Sequence, residues 1–153
     1  MNTVALNNAT TCAVSPVRVA RDIMTANPLS IDHNATLPDA AAFFRAKGIS
    51  AAPVINEAGR PLGVLSRTDL VRHSSDAADL SRYQGTRARD AMTPAVFSVR
   101  QDAPLPSVFE EFLACNVHRV FVIDDNGVLV GVISAIDLLR ALEAELALHA
   151  LRN

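Results

Sequence analysis

Two stretches of this chain place a hydroxyl three residues before a carboxylate, each after a glycine and two apolar residues. They are Gly63-Val64-Leu65-Ser66-Arg67-Thr68-Asp69 and Gly131-Val132-Ile133-Ser134-Ala135-Ile136-Asp137. If a helix opens at each serine, the spacing admits two kinds of chemistry. In the first, the serine hydroxyl accepts from an orphan backbone N–H, and the acid suits the positive helix end. That capping role alone explains both residues. In the second, the helix start with a hydroxyl beside it is an anion site suited to phosphate. An adjacent carboxylate would repel the phosphate, but one turn further in it is placed to accept from the two hydroxyls of a ribose. Capping and contact can coexist.

His118-Arg119 is the next candidate, at the position where the first half of the chain has Ser50-Ala51. It reads either as a solvated pair at a helix–strand junction or as a cation pair for phosphates. Arginine offers a fork to two phosphate oxygens, and histidine adds charge when protonated. Arg67 either helps such a site or is a surface side chain.

The elements that must position these residues come in two copies, because the chain repeats itself at a spacing of 68 residues. Ala20-Arg21-Asp22 matches Ala88-Arg89-Asp90, Met24-Thr25 matches Met92-Thr93, Leu37-Pro38 matches Leu105-Pro106, and Val54-Ile55 matches Val122-Ile123. Such a repeat implies a pseudo-twofold arrangement with any ligand cleft between the copies. Each copy, of about 55 residues, is too small to be comfortably stable alone, so the two are expected to share one core. Arg18 to Met24 suggests a short helical turn, and Pro28 to Ile31 an extended segment. Thr36, three residues before Asp39, starts a helix that Gly48 stops. Ala52 to Ile55 and Leu62 to Leu65 read as a hairpin, and Ser66 opens a helix to about His73. The second copy predicts a helix over Leu105 to Cys115 and strands over Val120 to Ile123 and Leu129 to Ile133. A final helix runs from Ser134 to about Leu151, with Leu138, Leu142 and Leu146 forming a stripe that wants a partner surface. Val64 and Ile133 are expected in the core. The segmentation is residues 1–17, an arm or extended cover strand; 18–73 and 86–142, the two repeats; 74–85, a spacer; and 143–153, a helical extension.

A β-α-β-β-α unit opening with Asp-hydrophobic-Met-Thr and closing with Gly-hydrophobic-hydrophobic-Ser-x-x-Asp resembles the CBS (cystathionine-β-synthase) domain, and two in tandem resemble a Bateman module. The resemblance covers about Val19 to Leu142. It implies an α/β (α+β) fold of two packed repeats and an adenosine-containing ligand in the cleft between them, reported to an attached or partner protein. It implies serine for phosphate and aspartate for ribose at Ser66, Asp69, Ser134 and Asp137. His118 and Arg119 then resemble a phosphate-contacting pair reaching toward the ligand of the other repeat. Thr25 and Thr93 lie where the chain passes the cleft, or are helix-end hydroxyls serving the backbone. Pro28, Leu29, Val96, Phe97, Ile49 and Val117 are candidate adenine walls or plain core. The expected ligand is AMP, ADP or ATP. S-adenosylmethionine or NAD(H), or a cleft without ligand in a docking protein, are the alternatives. A homodimer is also implied.

Composition narrows the field. Fourteen Lys and Arg against sixteen Asp and Glu give a net charge of −2, which marks neither a nucleic-acid binder nor a polybasic membrane surface. No apolar run approaches the ~20 residues of a membrane span. Residues 1–17 lack a basic start and a continuous apolar run, so they do not read as a secretory signal. The two cysteines, Cys12 and Cys115, do not suggest a disulfide framework, and a reducing cytoplasm fits. No phosphate-binding glycine loop, metal-ligand spacing or nucleophile–histidine set is present. Catalysis and catalytic cofactors are not expected, and any output must reach an effector protein in trans.

Overall fold

The computed structural model describes residues 18–73 and 85–152. The first copy runs α1 (Ala20–Ile23), β1 (Thr25–Ala26), β2 (Ile31–Asp32), α2 (Leu37–Lys47), β3 (Ala51–Ile55), β4 (Pro61–Ser66) and α3 (Arg67–His73). The second runs α4 (Ala88–Ala91), β5 (Ser98–Arg100), α5 (Leu105–Cys115), β6 (Arg119–Ile123), β7 (Leu129–Ser134) and α6 (Ala135–Ala150). The fold is mixed α+β, with one sheet in the order β2-β3-β4 and the other β1-β7-β6-β5.

Local chemistry accounts for the element ends. The Thr36 hydroxyl accepts from the Asp39 N–H at 3.2 Å, and Gly48 closes α2 in the left-handed conformation at φ 64°, as the sequence predicts. Each hairpin turns on an acid or amide that folds back on its own backbone. Asn56 Oδ1 accepts from the N–H groups of Ala58 and Arg60, and Asp124 Oδ1 from those of Asn126 and Val128. Gly59 and Gly127 supply the positive φ. α5 ends at Asn116, which itself adopts the left-handed conformation.

The expectation of one shared core is corrected to two cores, each completed by the other copy. Leu37, Phe44, Val54 and Leu65 of the first copy enclose Ala88 and Ala91 of α4. Val108, Val120, Val122, Ile133 and Leu138 of the second enclose Ala20 of α1. The opening helices are thus exchanged. Ala20 N donates to Ala103 O at 2.9 Å, and Ala88 N donates to Ala35 O at 2.8 Å. The exchange continues in the sheets. β1 lies antiparallel to β7, pairing Thr25 with Val132, and an isolated bridge joins Val64 to Thr93. A small unit that cannot bury enough surface alone gains it here by interlocking with its twin.

The Cys115 thiol is free, and desolvation together with neighbouring Glu111 raises its pKa above the usual value. Cys12, the arm 1–17 and most of the spacer lie outside the described residues. Among the described residues no helix is long and apolar enough to cross a membrane.

Candidate functional site

The two Ser-x-x-Asp motifs fold into matching caps. Asp69 Oδ2 accepts from the Ser66 backbone N–H at 2.8 Å and from its hydroxyl at 2.7 Å, while the same hydroxyl accepts from Asp69 N at 3.2 Å. Asp137 and Ser134 repeat this at 2.8, 2.8 and 3.3 Å. The first N–H of each helix is also taken: Arg67 N donates to Ser50 O, and Ala135 N to His118 O. The motif therefore ties the junction before β3 or β6 to the start of α3 or α6. Among the described residues the second oxygen of each acid, Oδ1, has only a 4.0 Å approach from Arg72 or Arg140. Asp69 is buried at 8% exposure, and Asp137 is half-buried.

A cleft of about 290 Å³ lies between the copies, and its wall includes Ala51 and Arg119, the strand partners of the cap residues Ser66 and Ser134. Four pairs of its wall residues stand at the repeat spacing: Leu29 and Phe97, Ala51 and Arg119, Pro53 and Phe121, Val64 and Val132. The cavity therefore straddles the pseudo-twofold axis. The pairs are unequal, because the first copy gives small Ala51 and Pro53 where the second gives Arg119 and Phe121. Arg119 is the single charged residue of the wall. It is exposed, and among the described residues its guanidinium has no hydrogen-bonding or ion-pair partner.

Of the sequence candidates, Thr25, Pro28, Leu29, Ile49, Phe97 and Arg119 line this cleft. Ser66, Asp69, Ser134, Asp137, Thr93, Val96, His118, Arg67 and Val117 do not form its wall. Thr93 pairs with Val64 in the exchanged bridge. Val117 packs against the second core. Arg67 reaches back to donate from Nη2 to Phe44 O at 3.4 Å, a bond that satisfies the end of α2. The expectation that Val64 is core is corrected: Leu65 and Ile133 are fully buried, whereas Val64 and Val132 face the cleft. The residues not anticipated are Ala51, Ala52, Pro53, Ala95, Phe121 and Val132. The repeat spacing was the available signal, since the partners of Arg119 and Val64 fall at its ends.

The CBS domain family matches residues 20–76 and 88–144. The chain belongs to the CBS domain family. Uncharacterized protein MJ1426 of Methanocaldococcus jannaschii is 27% identical over 155 residues, which cover 82% of this chain and 92% of that protein. The gamma-3 subunit of 5'-AMP-activated protein kinase from Bos taurus is 34% identical over 98 residues. That match covers 61% of this chain but only 20% of the kinase subunit. Among solved structures, CBSX2 in complex with AMP is 25% identical with a TM-score of 0.66, covering 82% of this chain and 96% of that one. The tandem CBS pair is thus the fold.

Proposed function

We propose that this CBS pair is a cytoplasmic regulatory module, not an enzyme, that binds an adenine nucleotide (AMP, ADP or ATP) between its repeats and signals to an effector protein in trans. The observation that carries this reading is the Arg119 guanidinium, unpartnered among the described residues, in a wall that is apolar but for Thr25. A flat base finds apolar faces in Leu29, Val64, Phe97 and Val132, and an anionic group finds Arg119. The cleft approaches the lower bound, about 300 Å³, of small-ligand sites. AMP bound to CBSX2 supports the same ligand class. S-adenosylmethionine, whose sulfonium Arg119 repels and whose carboxylate it attracts, is the alternative that the titration separates. In this reading Asp69 or Asp137 offers Oδ1 to the ribose, Ser66 or Ser134 and His118 stand near the phosphates, and Thr25 or Thr93 touches the ligand edge. Calorimetric titration with AMP, ADP, ATP, S-adenosylmethionine and NADH tests it. Saturable heat with the nucleotides and a rise in Tm are expected, because a ligand that binds only the folded chain stabilises it. Absence of both with all five compounds would leave a docking protein without a ligand.

Asp69→Ala is expected to have two separable effects. Loss of the cap costs about 1 kcal/mol of stability. Loss of a charged ribose acceptor costs a further 1.5–3 kcal/mol, roughly, in nucleotide affinity. Urea unfolding reads the first and calorimetry the second. A less stable variant that binds AMP normally confines Asp69 to capping.

The module is also proposed to be a homodimer. Leu113, Leu139 and Leu146 are 81%, 60% and 64% exposed, and every residue of α6 beyond Ala141 is exposed. Apolar helix faces of this extent mark association. Light scattering is expected to give a dimer for the full chain and a weaker one for a chain ending at Leu142. A dimer unchanged by the truncation would remove the distal helix from the interface.

A further inference from the structure

The matching helices of the two repeats carry charges of opposite sign. α2 ends in Arg45 and Lys47, where its counterpart α5 has Leu113 and Cys115; α5 carries Glu110 and Glu111, where α2 has Ala42 and Phe43. Arg45, Lys47 and Glu110 are exposed, and among the described residues none has an ion-pair or side-chain hydrogen-bonding partner. Glu111 is half-buried and, among the described residues, accepts only from the Cys115 thiol, at 3.4 Å. Apolar residues are exposed on both helix pairs: Ala42, Ala46 and Val71 on α2 and α3, Leu113 and Leu139 on α5 and α6.

A twofold dimer built from these helix faces has two possible arrangements. With like repeats facing, Arg45 and Lys47 approach their own copies, and Glu110 and Glu111 approach theirs. With unlike repeats facing, each basic helix end meets the partner's acidic helix, and symmetry makes the contact twice. Exposed ion pairs gain little, but like charges brought together across an interface are costly. The repulsion in the first arrangement is what discriminates. We infer that two copies of this chain associate head to tail, with α2 and α3 of each protomer seated on α5 and α6 of the other. This rests on the dimer reading above.

Charge reversal in the full chain tests it by sedimentation equilibrium at low salt. One variant is Arg45→Glu with Lys47→Glu, and the other is Glu110→Lys with Glu111→Lys. Head-to-tail pairing predicts that each variant alone dimerises about tenfold or more weakly. Combining all four changes in one chain, or mixing the two variants, restores the wild-type constant. The difference shrinks as salt is raised. Far-UV circular dichroism and Tm verify that each variant is folded. Head-to-head pairing predicts the contrary pattern, with single variants as tight as wild type and the mixture tighter, and overturns the inference. A wild-type chain that stays monomeric at high micromolar concentration instead removes the dimer, and the inference with it.

Discussion

Gly63→Ala is expected to destabilise the chain by about 3–5 kcal/mol, a larger loss than any surface substitution here should cause. A Cβ at position 63 would collide with the backbone carbonyl of Thr93, and would also lie 3.0 Å from Met92 Sδ and 3.1 Å from Pro94 Cα. A carbonyl fixed in a pairing cannot step aside as a side-chain end can. Val64 N donates to Thr93 O and Thr93 N donates to Val64 O, both at 2.9 Å. Relief of the clash must break those bonds, so the overpacking cost, about 1–3 kcal/mol, is joined by about 1 kcal/mol for each bond lost. Gly131, the repeat mate, differs in kind. A Cβ there meets Met24, with Cγ at 2.8 Å and Cβ at 3.1 Å, and a flexible methionine can turn away. Gly131→Ala is therefore expected to cost less than Gly63→Ala. Gly85→Ala, with nothing within 4 Å among the described residues, serves as the unchanged control. Urea midpoints at constant m-value give the ranking. Equal midpoints for Gly63→Ala and Gly85→Ala would mean that the exchanged bridge carries no stability.

What was legible in the sequence follows from where the signals lie along the chain. α5 spans Leu105–Cys115 as predicted, because its leucine, valine and phenylalanine spacing is local. The ends of α2 and both hairpin turns are also local, set by Thr36, Gly48, Gly59 and Gly127. β1 was not legible, since two residues carry no alternation and pair only with β7 from the other copy. The exchange of α1 and α4 is likewise nonlocal, although the small size of each copy already demanded shared burial. Val64 misled because period two says only that neighbours face opposite ways. In this fold α3 covers one side of β4 and the cleft lies on the other, so both faces favour apolar residues and alternation cannot tell core from wall. The Ser-x-x-Asp motif was legible as a cap, and its geometry in both copies is that of a cap. Its further role depends on Oδ1, which no pattern in the chain addresses.

Arg119→Ala is expected to separate nucleotides from nucleosides. Affinity for AMP, ADP or ATP should fall by about 1.5–3 kcal/mol, roughly ten- to a hundredfold, the scale of a charged hydrogen bond. Adenosine binding should hardly move, because a guanidinium offers only cationic donors, and those match phosphate oxygens. The fold should tolerate the change. Arg119 stands at the start of β6 opposite Ser134, its backbone keeps the sheet, and among the described residues its side chain holds no partner whose loss would leave a buried group unsatisfied. Arg119→Lys refines the test. A lysine keeps the charge but loses the planar fork, so it should recover part of the AMP affinity if attraction dominates and little if bidentate geometry does. Salt provides an independent check, since the wild-type preference for AMP over adenosine should narrow as ionic strength rises. An equal loss for adenosine and AMP would assign Arg119 to shaping the wall opposite Ala51 instead of reading phosphate, and the anionic half of the proposed ligand would lose its support.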